Sequence, residues 1–335
     1  MRVLQHLDEG LWKDFVDHHP RGNIFHTPEM FQVFARAKGH RPALWATVDS
    51  GSRPLALLLP VQITLLDGLL RSLTTRAVAY GSVLCAHGPE GQEALAMLLR
   101  AYNREMQGSL LFSELRNLSD LGDLQPVVKE CGFAYEEHLN FLIRLDQPEE
   151  ALWSQISKSG QQRVRAARKK GILVEEVTGQ HQQVALAYRV LRQVYRRVRV
   201  PLASPTLFEA AYDILARRGM FKVFLARLED RCIGARFLLM YKGRIIDWYA
   251  GADRDFSAYS PNELLVWHTL QWGRKHGFHL FDFGGAGKPD EAYGPREFKA
   301  KFGGRLVNYG RNVCGHAPVK LRLSRAGYQL MRKFS

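Results

Sequence analysis

Apolar positions return every three or four residues over 7–18, 28–38, 91–105 and 121–131, the spacing of one helical face. The runs 41–49, 55–66, 110–115 and 141–145 alternate or stay apolar and predict strands. Thr27 ahead of Pro28 and Glu29 places a hydroxyl N-cap before proline at the first helical position. From residue 148 the plan repeats. Helices are expected over 149–157, 160–170, 180–198, 206–218 and 261–276, and strands over 173–177, 221–228, 231–241, 244–251 and 280–283. A short helix carrying Phe298, Lys299 and Lys301 follows. Each half is helix-rich at its start and then becomes a mixed sheet with one crossover helix, which predicts a structural duplication. Asp-Gln-Pro-Glu-Glu at 146–150 has the composition of a linker. The expected division is therefore a domain over 1–147, a second over 148–312, and a basic tail over 313–335, in an α/β class with mixed sheets.

Composition narrows the class. A chain of 335 residues with 46% hydrophobic and 24% charged residues suits two soluble globular domains. No apolar run reaches the roughly 18–20 residues needed to span a bilayer, and the N-terminal stretch lacks the unbroken apolar core of a signal peptide. The expected location is the cytoplasm, at most peripheral on the inner face of a membrane. Four cysteines, Cys85, Cys131, Cys232 and Cys314, are far apart with no CxxC pair, which argues against structural zinc and a disulfide framework. A formal charge of +14 favours phosphate-bearing partners: nucleic acid, anionic lipid, or nucleotide-linked substrates.

Candidate chemistry concentrates in four places. The acid-free segment KSGQQRVRAARKK (158–170) brings Arg165, Arg168 and Lys169 to one helical face, for anion binding or as a solvated surface. A second cluster, Arg189, Arg192, Arg196, Arg197 and Arg199, lies on a later helix, and the two faces together would hold an extended phosphate backbone. The loop 251–261, with Arg254 and Tyr259, enters a helix at Asn262, whose free N–H groups suit an anion or a carbonyl oxygen. The run FDFGGAG offers Asp282, a turn carboxylate or a site group, with Gly284 and Gly285 behind it. Past Tyr293, a further substrate-binding candidate, Phe298 gives an aromatic platform beside Lys299, a cation placed to stabilise a tetrahedral oxyanion. The scattered histidines have no partner at metal-ligand spacing, and no GxSxG, P-loop or dinucleotide fingerprint is present. The tail 319–334 interleaves cations and apolar residues, as an amphipathic surface helix or a packed one.

The ordered combination KSGQQRVRAARKKGILVEE, YAGADRDFSAYSPNELLVWHTL, FDFGG and FKAKFGG resembles the FemAB-type aminoacyltransferases and their GNAT-related cousins, and Ile24-Phe25-His26-Thr27-Pro28 resembles that family's opening. The resemblance implies two tandem GNAT-like domains facing a shared cleft. It implies transfer of an amino acid from aminoacyl-tRNA to an amine of a peptidoglycan or other lipid- or nucleotide-linked envelope precursor. It further implies that Phe298 and Lys299 are the family's Phe-Lys pair, with Lys299 on the oxyanion, and that Arg165 and Arg168 contact substrate phosphate or tRNA. Asp282 is expected to orient a group or act as a base. No metal or cofactor is expected, because the donor, aminoacyl-tRNA or an acyl thioester, is a co-substrate. The long helical arm of some members is absent, and the loop after Gly251 lacks the glycines that wrap a CoA pyrophosphate. Two alternatives stand beside this reading: an N-acyltransferase using acyl-CoA or acyl carrier protein on an amino sugar, and a non-catalytic basic protein that binds nucleic acid or membrane. Oligomeric state is left open.

Overall fold

The computed structural model describes residues 1–64, 68, 73–179 and 181–322. It divides into two compact units, one of Met1–Glu137 with the chain from Tyr309 onward, the other His138–Asn308. The sequence pattern set the divisions at 147/148 and 312/313. The reason for the difference is strand pairing. The apolar run near 141–145 belongs to the second unit's sheet, and a strand after Tyr309 returns to the first unit's sheet.

The first unit contains helices α1 (Glu9–His18), α2 (Pro28–Arg36), α3 (Pro89–Met106) and α4 (Leu124–Glu130). Its strands are β1 (Arg2–Leu4), β2 (His40–Pro42), β3 (Trp45–Val48), β4 (Pro54–Leu58), β5 (Val61–Thr64), β6 (Thr75–Ala79), β7 (Val83–Cys85), β8 (Phe112–Arg116), β9 (Ala134–Glu136) and β17 (Arg311–Gly315). They form one sheet in the order β1-β3-β4-β7 and another in the order β2-β5-β6-β8-β17-β9. The expected strands 41–49 and 55–66 each break in two. Pro60, which has no N–H to give a ladder, marks the break in the second, and its carbonyl accepts the Ala43 N–H at the break in the first. One hairpin thus feeds both sheets. Residues 65–66 of the expected strand lie outside the described residues, as does the tail beyond 322.

Thr27 caps α2 as expected: its hydroxyl accepts the Met30 N–H at 3.2 Å, with Pro28 following. Just upstream, Asn23 and His26 exchange bonds around a single 3-10 turn. His26 is buried there, and loss of solvent pulls its imidazole down to about 3. A buried histidine that stays neutral contributes stability above the unfolded value near 6.5, lost as pH falls from there toward 3, because the unfolded chain binds the proton first. The denaturation midpoint of the chain is expected to fall between pH 7 and pH 5, and His26→Gln should flatten that slope. An unchanged slope in the variant would remove His26 from the acid response.

The second unit contains α5 (Glu149–Gln155), α6 (Lys158–Lys169), α7 (His181–Arg197), α8 (Pro205–Leu215), α9 (Pro261–Lys275) and α10 (Gly294–Ala300). Its strands are β10 (Leu139–Arg144), β11 (Leu173–Glu176), β12 (Phe221–Leu228), β13 (Arg231–Tyr241), β14 (Arg244–Ala252), β15 (Leu280–Gly285) and β16 (Arg305–Asn308). The sheet order is β11-β12-β13-β14-β15-β10-β16, and β14 and β15, joined through α9, run parallel. Glycines mark which helix covers which face. A Cβ on Gly234 would stand 3.0 Å from Leu265 of α9, whereas one on Gly251 would stand 3.0 Å from Val194 of α7. Gly251 pairs with Ala235, the neighbour of Gly234, so α9 and α7 cover opposite faces. Helices α5 and α6 pack with α9, and α8 packs with α7.

The detail that positions the site is where β14 and β15 part. Their pairing runs from Arg244 with Leu280 to Ile246 with Asp282 and stops. Beyond it β14 continues against β13, and β15 continues against β10 to Gly285. No helix among the described residues is long and apolar enough to cross a membrane.

Candidate active site

Lys299 closes the opening between β14 and β15. Its ammonium donates to the carbonyl oxygen of Phe283 and, at 2.8 Å, to that of Gly285. It also lies 5.3 Å from the centre of the Phe283 ring. Gly284 between those carbonyls has φ +75°, which an L side chain adopts only under strain. A Cβ there would sit 3.8 Å from the ammonium and 3.6 Å from the Asp247 carbonyl. Burial pulls the Lys299 ammonium down to about 8, opposed by Asp247 and Asp282 and assisted by Arg236. Phe298 packs on Phe283 and Phe302 and supplies the apolar wall.

Helix α10 is short and has no side-chain N-cap. Its first turns are held from Arg296, whose guanidinium donates to the carbonyls of Ala286 at 2.8 Å, Pro289 at 3.0 Å, and Lys288. Tyr293 lays its ring against Gly287, where a Cβ would come within 3.0 Å. At Gly285 a Cβ would meet the His138 ring, its Nε2 at 2.7 Å, so that ring would have to move.

Behind Lys299 lies an ion pair that sequence reasoning missed. Arg236 of β13 is 1% exposed, and its Nη1 stands 2.7 Å from Asp247 Oδ2 of β14. Its Nη2 donates to Asn262 Oδ1 at 3.0 Å, and the guanidinium carbon lies 5.6 Å from the Phe283 ring centre. Among the described residues, Asp247 Oδ1 and Arg236 Nε are buried without a hydrogen-bond partner. The available signal was two ionisable residues inside the apolar strand runs CIGARFLLMY and RIIDWYAG. Asp282 is fully buried, its Oδ1 accepting the Gly284 N–H at 2.9 Å. Burial pushes its carboxyl upward. This places it as a support for the Gly284 turn, away from solvent.

The structure brings Lys299, Phe298, Asp282, Gly284 and Gly285 together and joins Asn262 to them through Arg236. The basic residues of α6 lie elsewhere. Arg165 stacks over Trp153 at 5.2 Å, and Arg168 donates to Gln271 at 3.0 Å. Arg163 pairs with Glu263 at 3.5 Å. Lys170 donates to the Ala258 carbonyl at 2.6 Å and sits 4.9 Å over Tyr259. The partners of these cations are on α5, on α9 and on the turn before α9. Lys169 and Arg254 are exposed. Since α6 and α7 cover opposite faces of the sheet, their cations do not form the single phosphate track that the sequence suggested.

Residues 157–299 match the family model described as an acetyltransferase (GNAT) domain. The crystal structure of FemX is similar along 97% of this chain and 100% of that one, with a TM-score of 0.71 at 15% identity. The fold is that of the FemAB/GNAT-related acyltransferases. L-PGS from Bacillus licheniformis shares this GNAT-type fold over 97% of this chain and 98% of its own, with a TM-score of 0.60 at 13% identity. A tandem GNAT protein from the clavulanic acid biosynthesis pathway follows at 0.59 and 11% identity, covering 95% and 99%. No characterised protein matches the chain in sequence. Both units are thus GNAT-like, and Lys299 ends the matched segment.

Removing one partner of a buried ion pair leaves the other charge uncompensated, at about 3–5 kcal/mol. Arg236→Met is expected to destabilise the second unit by that order, whereas Arg236→Met/Asp247→Leu should recover much of the loss. Equal denaturation curves for the single and double variants would show that the pair does not act as a unit.

Proposed function

We propose that this acyltransferase moves an amino acid from the ester of aminoacyl-tRNA to an amine of a cell-envelope precursor. The observation that carries the reading is the Lys299 ammonium held where β14 and β15 part. The acceptor's nitrogen lone pair attacks the ester carbonyl carbon, and the carbonyl oxygen takes up the negative charge. Collapse of that intermediate re-forms the carbonyl and expels the ribose oxygen, which receives the proton lost by the attacking amine. Lys299 stabilises the oxyanion, and much of the rate comes from holding donor and acceptor in register. Asp247 and Arg236 hold the electrostatic setting of Lys299, and Asp282 holds Gly284 beneath it. No metal or cofactor takes part in this scheme.

The likeness to FemX and L-PGS supports an aminoacyl donor. So does the start of α9, where a CoA pyrophosphate would seek free N–H groups. That start carries Glu263, 6% exposed and paired with Arg163, and follows Asp253 and Asp255. Carboxylates there repel a pyrophosphate. The match of 157–299 to an acetyltransferase domain favours a second reading, an acyl thioester donor and an amino-sugar acceptor.

Radiolabelled aminoacyl-tRNA and acetyl-CoA, each offered with a lipid-linked peptidoglycan precursor, separate the two. Label reaching the precursor only from tRNA supports the proposal, and label only from the thioester overturns it. Lys299→Met should lower turnover about 10²–10³-fold, the size of a lost oxyanion donor. Near-native turnover in that variant would remove Lys299 from the chemistry.

The pH profile gives a separate check. Lys299 is charged below about 8, so the rate should hold through neutrality and fall above that value. The fold gains stability over the same range, because the unfolded lysine keeps its proton up to about 10.5 while the buried one has lost it. Loss of rate with an undiminished denaturation midpoint is therefore expected between pH 8 and 10. A rate that stays flat there would contradict the ammonium's role.

A further inference from the structure

We propose that the outer face of α7, with the turn that ends it, is a docking surface for an anionic phospholipid bilayer. Helix α7 buries Val184, Ala187, Val190 and Leu191 toward the sheet. Arg189, Arg192 and Arg196 are spaced by three and four residues, share the opposite face, and are exposed. Arg197 and Arg199 extend the cluster past the helix end. No acid occurs in the sequence between Glu176 and Glu209, and among the described residues none of these five arginines forms an ion pair. On α6, by contrast, Arg163 pairs with Glu263, Arg168 donates to Gln271 and Arg165 lies over Trp153.

The helix end gives a second, independent observation. The Val200 N–H reaches the Tyr195 carbonyl at 3.1 Å and the Arg199 N–H reaches that of Arg196 at 3.3 Å, the paired bonds of a Schellman turn. The left-handed position of such a turn normally takes glycine. Here Arg199 occupies it at φ 54°. The turn sets Val198 and Val200 on the surface at 52% and 49% exposure, with Pro201 beyond. Branched apolar side chains alternating with unpaired arginines fit the headgroup and acyl boundary of a membrane, where the cations meet phosphate and the valines leave water. A nucleic-acid backbone offers the same phosphate and nothing for the valines. The inner side of α7 reaches the candidate site, with Tyr195 lying 5.9 Å from Tyr249 of β14. A docked α7 would therefore present the site strand to acceptors carried by the lipid. The docking surface itself stands whatever the acyl donor proves to be.

Sedimentation of the full chain with extruded vesicles of phosphatidylcholine, with and without phosphatidylglycerol, tests this. Binding is expected only to the anionic vesicles. Arg192→Glu/Arg196→Glu should weaken it by more than about tenfold, given roughly fivefold for each arginine at an anionic surface. Val198→Ser/Val200→Ser should remove the part of binding that survives high salt. Lys13→Glu/Arg41→Glu, with the same change in net charge on other exposed positions, should bind as the unaltered protein does. Equal loss in this control would assign the binding to net charge and overturn the proposal. Unchanged vesicle binding in both α7 variants would also overturn it. So would a gel shift with tRNA that is abolished by the α7 arginine change while no vesicle preference is seen. Arg192→Gln/Arg196→Gln replaces the glutamate variant if circular dichroism shows that variant unfolded.

Discussion

A half-buried lysine stands where two parallel strands stop pairing, and the second unit is arranged around the need to keep its ammonium there. The carbonyls of Phe283 and Gly285 are met by Lys299 across the Gly284 turn. A buried cation is tolerated only with compensating charge nearby. Asp247 supplies part of it, but Asp247 is shared with Arg236, which is itself almost completely enclosed. The three charges are therefore one electrostatic system. The same arrangement that makes the lysine costly to bury leaves it with a depressed proton affinity and a charge that low-dielectric surroundings make effective.

The remaining positive charge has two different uses. On α6 and its last turn, Arg163, Arg165, Arg168 and Lys170 are exposed but each meets a partner, respectively Glu263, Trp153, Gln271 and the Ala258 carbonyl. These contacts tie α6 to α5, to α9 and to the turn that leads into α9. On α7 and the turn after it, Arg189, Arg192, Arg196, Arg197 and Arg199 are exposed and, among the described residues, in no ion pair. Composition cannot separate these cases, because a guanidinium stacked on tryptophan and one exposed to water contribute the same unit to the net charge. Partner geometry separates them, and it changes which basic cluster merits an external ligand.

Much of this was legible along the chain. Helix periods, the Thr27-Pro28 start, the three long strands 221–252 and the glycine-rich passage before Lys299 depend on neighbours within a few residues, and such local preferences survive into the fold. The sequence by itself therefore determined most of the helices, the long strands, the repeat of plan, and the presence of a lysine after a permissive loop. The short strands Arg2–Leu4, Thr75–Ala79, Val83–Cys85, Ala134–Glu136, Arg305–Asn308 and Arg311–Gly315 left no pattern long enough to read. Only the tertiary structure decided that 139–144 pairs in the second unit and that 311–315, expected partly in the second domain and partly in the tail, pairs in the first, because an apolar strand has no local mark of which sheet will pair with it. It also decided that Arg236 meets Asp247 and that α6 and α7 lie on opposite faces. Those facts depend on strand register and helix packing between residues distant in sequence, where no local pattern carries the information.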